Sequence, residues 1–140
     1  MNEEIKENLE KIYLLIPEFE CQHCNSCCGP IIWSEPEDIL IKDYLYKHKI
    51  KRVIWTKEEF QQNQMRCPYL VNNRCIIYPV RPIVCRLQGN ICELKCKFSN
   101  KNNFIPKKDL NELRKKYFEL IKKTNSTRIF YSTLKYSYIC

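Results

Sequence analysis

A small α+β fold, with helices around a cysteine-rich loop and a short β-hairpin, is what three features of this 140-residue sequence predict. Apolar residues recur at helical spacing near both ends, over residues 2–16 and 108–123. Four cysteines crowd into Cys21-Gln-His-Cys24-Asn-Ser-Cys27-Cys28. Between them, Cys67-Pro-Tyr-Leu-Val71 and Arg74-Cys-Ile-Ile-Tyr78 flank the pair Asn72-Asn73, which tolerates the positive φ angles of a tight hairpin turn. The length fits one domain, 1–140, with a cysteine-bearing core over about 21–96 and a helix on either side. A chain this short buries a modest core, so a metal staple would add stability.

Each element has its own signal. In the first helix, Ile5, Leu9, Ile12 and Ile16 share a face, Glu3, Glu4 and Glu7 suit the positive end of the helix dipole, and Pro17 stops it. Gly29-Pro30 closes the cysteine loop. Ser34-Glu-Pro-Glu37 is a helix start, with Ser as cap, Glu37 completing a capping box and Pro36 in the first turn. That helix is expected over about 35–47. Lys51–Trp55 reads as a short strand, and Thr56-Lys-Glu-Glu59 starts a brief helix. Cys67 and Cys75 then stand near each other across the hairpin. Pro82 opens a single turn, Ile83-Val-Cys85-Arg86. Asn100–Asn103 is a polar linker. Leu110, Leu113, Tyr117, Leu120 and Ile121 form the apolar face of the last helix, and 126–140 suits either helix or strand.

Composition excludes several function classes. Two glycines in the whole chain argue against a glycine-rich phosphate loop or a dinucleotide fold. There is no Ser–His–Asp set and no paired-histidine site, which points away from an enzyme. The first residues, Met1-Asn-Glu-Glu-Ile-Lys-Glu-Asn, lack the basic and apolar regions of a secretory signal, and no apolar run approaches a membrane span. The expectation is a cytoplasmic protein without membrane contact. There, thiols stay reduced and cysteine clusters read as metal sites rather than disulfides.

Charge is unevenly placed. Residues 1–94 hold twelve Lys/Arg against thirteen Asp/Glu, whereas residues 95–140 hold twelve against three. Metal-bound thiolates would lower the formal +8, but the basic C-terminal third remains. With Tyr131, Tyr136 and Tyr138, that third invites a nucleic-acid partner. A solvated lysine-rich helix face is the favoured reading. The expected partner is a redox or other protein that the sequence does not identify.

The chemistry lies in the cysteines. Three of the first four recur every third position, so one tight loop can turn them toward a point. Thiolates held together repel unless a cation lies between them. Nine cysteines between residues 21 and 96 are the candidate ligands: Cys21, Cys24, Cys27, Cys28, Cys67, Cys75, Cys85, Cys92 and Cys96. Cys140 reads as a bystander, and His23 and His48 read as solvated. Arg81 and Arg86 flank Cys85 and can offset thiolate charge or donate to sulfur. A single Cys-x2-Cys suits tetrahedral zinc. The threefold repeat with a later Cys67-Pro68 suits a four-iron, four-sulfur (4Fe-4S) cluster better.

Taken in order, Cys21-x2-Cys24-x2-Cys27-Cys28, Cys67-Pro-Tyr-Leu and Cys75-Ile-Ile-Tyr-x2-Arg81-Pro82-x2-Cys85-Arg86 resemble the YkgJ-like CxxCxxCC family of zinc- or iron-chelating cysteine-cluster proteins. The resemblance covers about 21–96. It implies a small metal-binding domain and no defined reaction. The family closes with one more cysteine after the Cys-Arg pair, a place for which Cys92 and Cys96 both compete. The expected function is therefore iron–sulfur binding with a redox or sensing role. The alternatives are a structural zinc module acting as a partner-binding adaptor, and metal storage or delivery.

Overall fold

The computed structural model describes residues 2–21, 24, 28, 29, 31–97, 103–124 and 129–131, the last three as backbone only. It is a mixed α+β chain with five α-helices and two short antiparallel sheets among these residues.

Helix α1 spans Asn2–Tyr13. Its regular hydrogen bonding gives way to turns over 14–16, where Ile16 N–H bonds the Tyr13 carbonyl ahead of Pro17. The expected face is the buried one: Ile5, Leu9 and Ile12, with Ile16 still in the core beyond the last turn. Helix α2 is Glu35–Lys47, with Pro36 in its first turn. Helix α5 is Lys107–Lys123 and buries Leu110, Leu113 and Leu120. These three helices pack on one another. Their apolar stripes form one core with Trp33, Tyr69, Ile77, Val80 and Ile83.

Strand β1 (Ile32–Ser34) leads into α2. It pairs antiparallel with a strand from the chain's far end, Ile129–Tyr131, in the register Ile32↔Tyr131 and Ser34↔Ile129. This settles the ambiguous tail as strand over those three residues; the rest of 126–140, including Tyr136, Tyr138 and Cys140, lies outside the described residues.

The hairpin forms as the sequence predicts. β2 (Leu70–Val71) pairs with β3 (Arg74–Cys75), numbering the Ile129–Tyr131 strand β4. Asn72 and Asn73 take φ values of 51° and 63°, both left-handed, as a tight primed turn requires. Before it, α3 (Lys57–Gln62) starts at Thr56, whose hydroxyl accepts from Glu59 N–H at 3.2 Å. The strand expected over 51–55 does not form. The segment is tied down by side chains instead: Val53 N–H donates to the Tyr69 hydroxyl at 3.1 Å, and Arg52 reaches Asp38 at 2.8 Å. Trp55 packs edge-on against Phe60. Helix α4 (Ile83–Leu87) follows Pro82, and a 3-10 turn covers Cys92–Leu94.

One polar residue organises this core. Glu37 is fully buried. It does complete the expected reach back to Ser34 N–H, at 2.9 Å. It also accepts from Tyr13 on α1 at 3.2 Å, from Ile83 N–H on α4 at 2.6 Å and from Tyr117 on α5 at 2.7 Å. Burial raises the Glu37 pKa, and these donors partly restrain the shift. One carboxylate therefore fixes the mutual placement of four helices.

Candidate metal centre

The hairpin brings two thiols near each other. Cys67 lies just before β2 and is buried; Cys75 ends β3 and is half-buried. The Cys67 thiol is pushed up to about 11, first by burial and further by the charge of Cys75. Burial raises Cys75 as well. Opposing this, the main-chain N–H of Tyr69 lowers the Cys67 pKa and that of Ile77 lowers the Cys75 pKa, each from two positions on. Leu70 N–H bonds the Cys67 carbonyl at 3.0 Å, which turns the chain after Cys67 into β2. Ile76 N–H then bonds Tyr69 O at 2.9 Å and locks the hairpin base.

The last cysteine of the N-terminal loop is brought to the same place. Cys67 N–H donates to the Cys28 carbonyl at 3.2 Å. Cys28 is half-buried against the core, as Cys75 is. At the other end of the loop, Cys21 shares a cavity of about 670 Å³ with Cys75. Glu18, Arg74 and Tyr78 also line it. The approach to Cys21 is anchored from the turn after α4. Asn90 is buried and donates to the carbonyls of Pro17 and Arg86, both at 2.9 Å. Gly89, at φ 80°, lets the Phe19 ring pass where a Cβ would stand 2.7 Å from it. Sequence reading gives Gly89 and Asn90 no role; the single glycine between two cysteines was the available signal.

The remaining candidates are more scattered. Cys24 and Cys92 are exposed, while Cys85 on α4 and Cys96 beyond the 3-10 turn are half-buried. Cys27 and His23 lie outside the described residues. Among the described residues, no three Cys, His, Asp or Glu side chains converge as a ready-made ligand group. Cys67 and Cys75 lie near each other, Cys28 is tied to Cys67 through the main chain, and Cys21 lines a cavity with Cys75. His48, expected to be solvated, is exposed at the end of α2 and stacks on Tyr44.

The two arginines divide their work. Arg81 lies over the Tyr78 ring, 3.8 Å from its centre, and pairs with Glu18 at 3.6 Å. Its charge lowers the Cys75 pKa, the effect expected of a cation set beside a thiolate. Arg86 turns the other way. It donates to the carbonyls of Arg81 at 3.0 Å and Pro79 at 2.8 Å, and stacks on Tyr13 at 3.8 Å. It braces the segment that carries Cys85.

This donor set fits a thiophilic metal. Burial raises the pKa of both thiols and the charge of Cys75 raises Cys67 further, so a negative charge on these sulfurs is penalised where they stand. A cation among them removes both penalties.

Comparison with known proteins agrees with that chemistry. Residues 20–109 match the family model CxxCxxCC, described as "Putative zinc- or iron-chelating domain". No curated protein and no solved structure matches the chain. No helix among the described residues is long and apolar enough to cross a membrane.

Proposed function

The chain belongs to the CxxCxxCC family of zinc- or iron-chelating domains, and from that premise we propose that its thiolates hold an iron–sulfur cluster of the four-iron type with a redox or sensing role. One observation carries the reading. Cys67 and Cys75 lie close enough at the hairpin base for the charge of Cys75 to raise the Cys67 pKa, and the Cys67 N–H bonds the carbonyl of Cys28, the last cysteine of the segment whose thiols recur at every third residue. Hydrogen bonds to sulfur are one of the means by which a protein sets a cluster's potential. Cys67 and Cys75, with thiols of the 21–28 loop, are the ligands this reading selects. Cys85, Cys92 and Cys96 are the candidates for the remaining positions.

When bound, the group supplies one-electron chemistry; the protein supplies charge, donors and access. Tyr69 and Ile77 N–H groups and the Arg81 cation stabilise negative charge on sulfur. The cavity beside Cys21 and Cys75 gives a route from solvent to the thiols. Anaerobic purification followed by iron, zinc and sulfide analysis tests the proposal. Iron and sulfide in equal amounts support it. A colourless protein holding one or two zinc ions overturns the redox role and leaves a structural zinc module.

A further inference from the structure

Helices α2 and α3 stop in the same way and then diverge. After α2, Lys49 takes a left-handed φ of 53°, its N–H bonds the Tyr46 carbonyl at 3.2 Å, and Ile50 N–H reaches back to the Leu45 carbonyl at 2.9 Å. After α3, Gln64 is left-handed at 59°, its N–H bonds the Gln61 carbonyl at 3.2 Å, and Met65 N–H reaches back to the Phe60 carbonyl at 2.8 Å. One left-handed residue is enough for this kind of stop. Met65 adds a second, at φ 58°. A non-glycine residue resists that conformation, which persists where the surroundings impose it. The other left-handed pair among the described residues, Asn72–Asn73, uses the side chain that tolerates it and makes the hairpin turn. Met65 is no such residue, and its side chain stands exposed, so packing in the core does not offset the strain. What Met65 does contact is main chain. A Cβ on Gly29 would stand 3.2 Å from the Met65 carbonyl oxygen, a tight approach to backbone. Arg66 N–H then bonds the Asn63 carbonyl at 3.2 Å, and the next residue, Cys67, donates to the Cys28 carbonyl at 3.2 Å. Residues 65–67 thus lie against Cys28 and Gly29 at two points.

We propose that the left-handed Gln64–Met65 turn and the bare Cα of Gly29 set Cys28 against Cys67 so that both thiols reach one metal. Met65 and Gly29 are positioning residues, acting through the main chain without touching the metal. A plain helix stop accounts for Gln64 and leaves both the second left-handed residue and the contact at Gly29 without a reason. The rival explanation of an exposed methionine beside a cysteine cluster is a thioether ligand to a soft metal. That rival needs the Met65 side chain; the positioning role needs its φ angle and the space at Gly29. The inference rests on the reading that these thiols hold a metal, zinc and iron alike.

The test uses the full-length protein, with Zn²⁺ affinity read by competition against a coloured chelator and Cys67 amide exchange read by NMR on the metal-free form. Gly29→Ala and Met65→Val are each expected to weaken Zn²⁺ binding by about tenfold or more, as for groups that act through a ligand. Both are expected to speed Cys67 amide exchange about tenfold, the loss of one hydrogen bond. A β-branched residue is the poorest fit to a left-handed φ, whereas glycine adopts it freely. Met65→Gly is therefore expected to stay within about threefold of wild type on both readouts. Lys49→Val puts the same strain at the end of α2, which carries no cysteine. It is expected to lower the unfolding midpoint and leave Zn²⁺ affinity within about threefold. Wild-type affinity in Gly29→Ala and Met65→Val overturns the proposal. So does a loss in Met65→Gly equal to that in Met65→Val, which would make the thioether a ligand. An equal loss in Lys49→Val would mean a response to stability alone and also overturns it. A wild type with a protected Cys67 amide that takes up neither zinc nor iron overturns the metal reading itself, and the positioning role falls with it.

Discussion

The main-chain N–H of Cys67 donates to the carbonyl of Cys28 at 3.2 Å. That bond joins the two halves of the cysteine pattern, the crowded N-terminal loop and the hairpin, at main-chain level. It does not depend on any thiol chemistry. Cys28, the last cysteine of that loop, is therefore held beside Cys67 by the fold itself.

Cys67 and Cys75 are accordingly the thiols whose loss should matter most. Cys67→Ser and Cys75→Ser are each expected to lower bound metal to less than about a tenth of the wild-type content at matched free metal. Cys140→Ser is expected to leave it unchanged. Metal analysis of the purified variants checks this. Full metal content in both hairpin variants would remove them from the ligand set.

Arg81 offers a test of the charge around the site. Its guanidinium favours the Cys75 thiolate and stands over Tyr78. Arg81→Gln is expected to weaken metal binding by about 10- to 100-fold, the range for groups that touch ligands rather than metal. Competition with a coloured chelator gives the number. An unaltered affinity would show that Arg81 serves only its contacts with Tyr78 and Glu18.

Glu37 should govern stability without touching the metal. Replacing it by Ala leaves Ile83 N–H, Ser34 N–H and two tyrosine hydroxyls without their buried acceptor. The expected cost is more than about 3 kcal/mol in denaturant unfolding. The pH dependence has a definite sign. Burial raises the folded pKa of this acid, so its contribution is fully present below the ordinary carboxylate range and declines as pH rises through the folded value. The stability advantage of wild type over Glu37→Gln is thus expected to shrink as pH rises from about 4.5 toward neutrality. An advantage that grows over that window would contradict the assignment.

The fold was legible where a local signal decided it. Ser34-Glu-Pro-Glu37 placed α2 at Glu35–Lys47, and Asn72-Asn73 placed the hairpin turn, because caps and primed turns are short-range chemistry. Lys51–Trp55 misled because β-branched and aromatic residues mark a strand only if a partner edge is available. Here Tyr69 and Asp38 take its hydrogen bonds with side chains. Glu37 shows the same limit from the other side. Its capping role was visible three residues from Ser34, but Tyr13, Ile83 and Tyr117 are distant in sequence, and only packing reveals them. At the metal centre, spacing identified which cysteines belong to the pattern. It could not show that Cys67 is buried and tied through its N–H to the Cys28 carbonyl, which only the packing of the hairpin reveals.

Removing the metal should loosen the centre more than the helical core. The three-helix packing of α1, α2 and α5 rests on its own apolar contacts and on Glu37. Chelation is expected to lower the thermal midpoint while leaving much of the helical circular dichroism below the transition. Loss of that signal on chelation at room temperature would mean that the metal is required for the whole fold.

The most direct measurement is iron, zinc and acid-labile sulfide content of anaerobically purified protein, taken with its visible spectrum, on wild type and on Cys67→Ser. The expected wild-type result is a brown protein with about four irons and matching sulfide per chain, both lost in the variant. A colourless wild type carrying zinc would contradict the iron–sulfur assignment. A wild type that holds neither metal, and unfolds identically to the variant, would contradict the account at its centre.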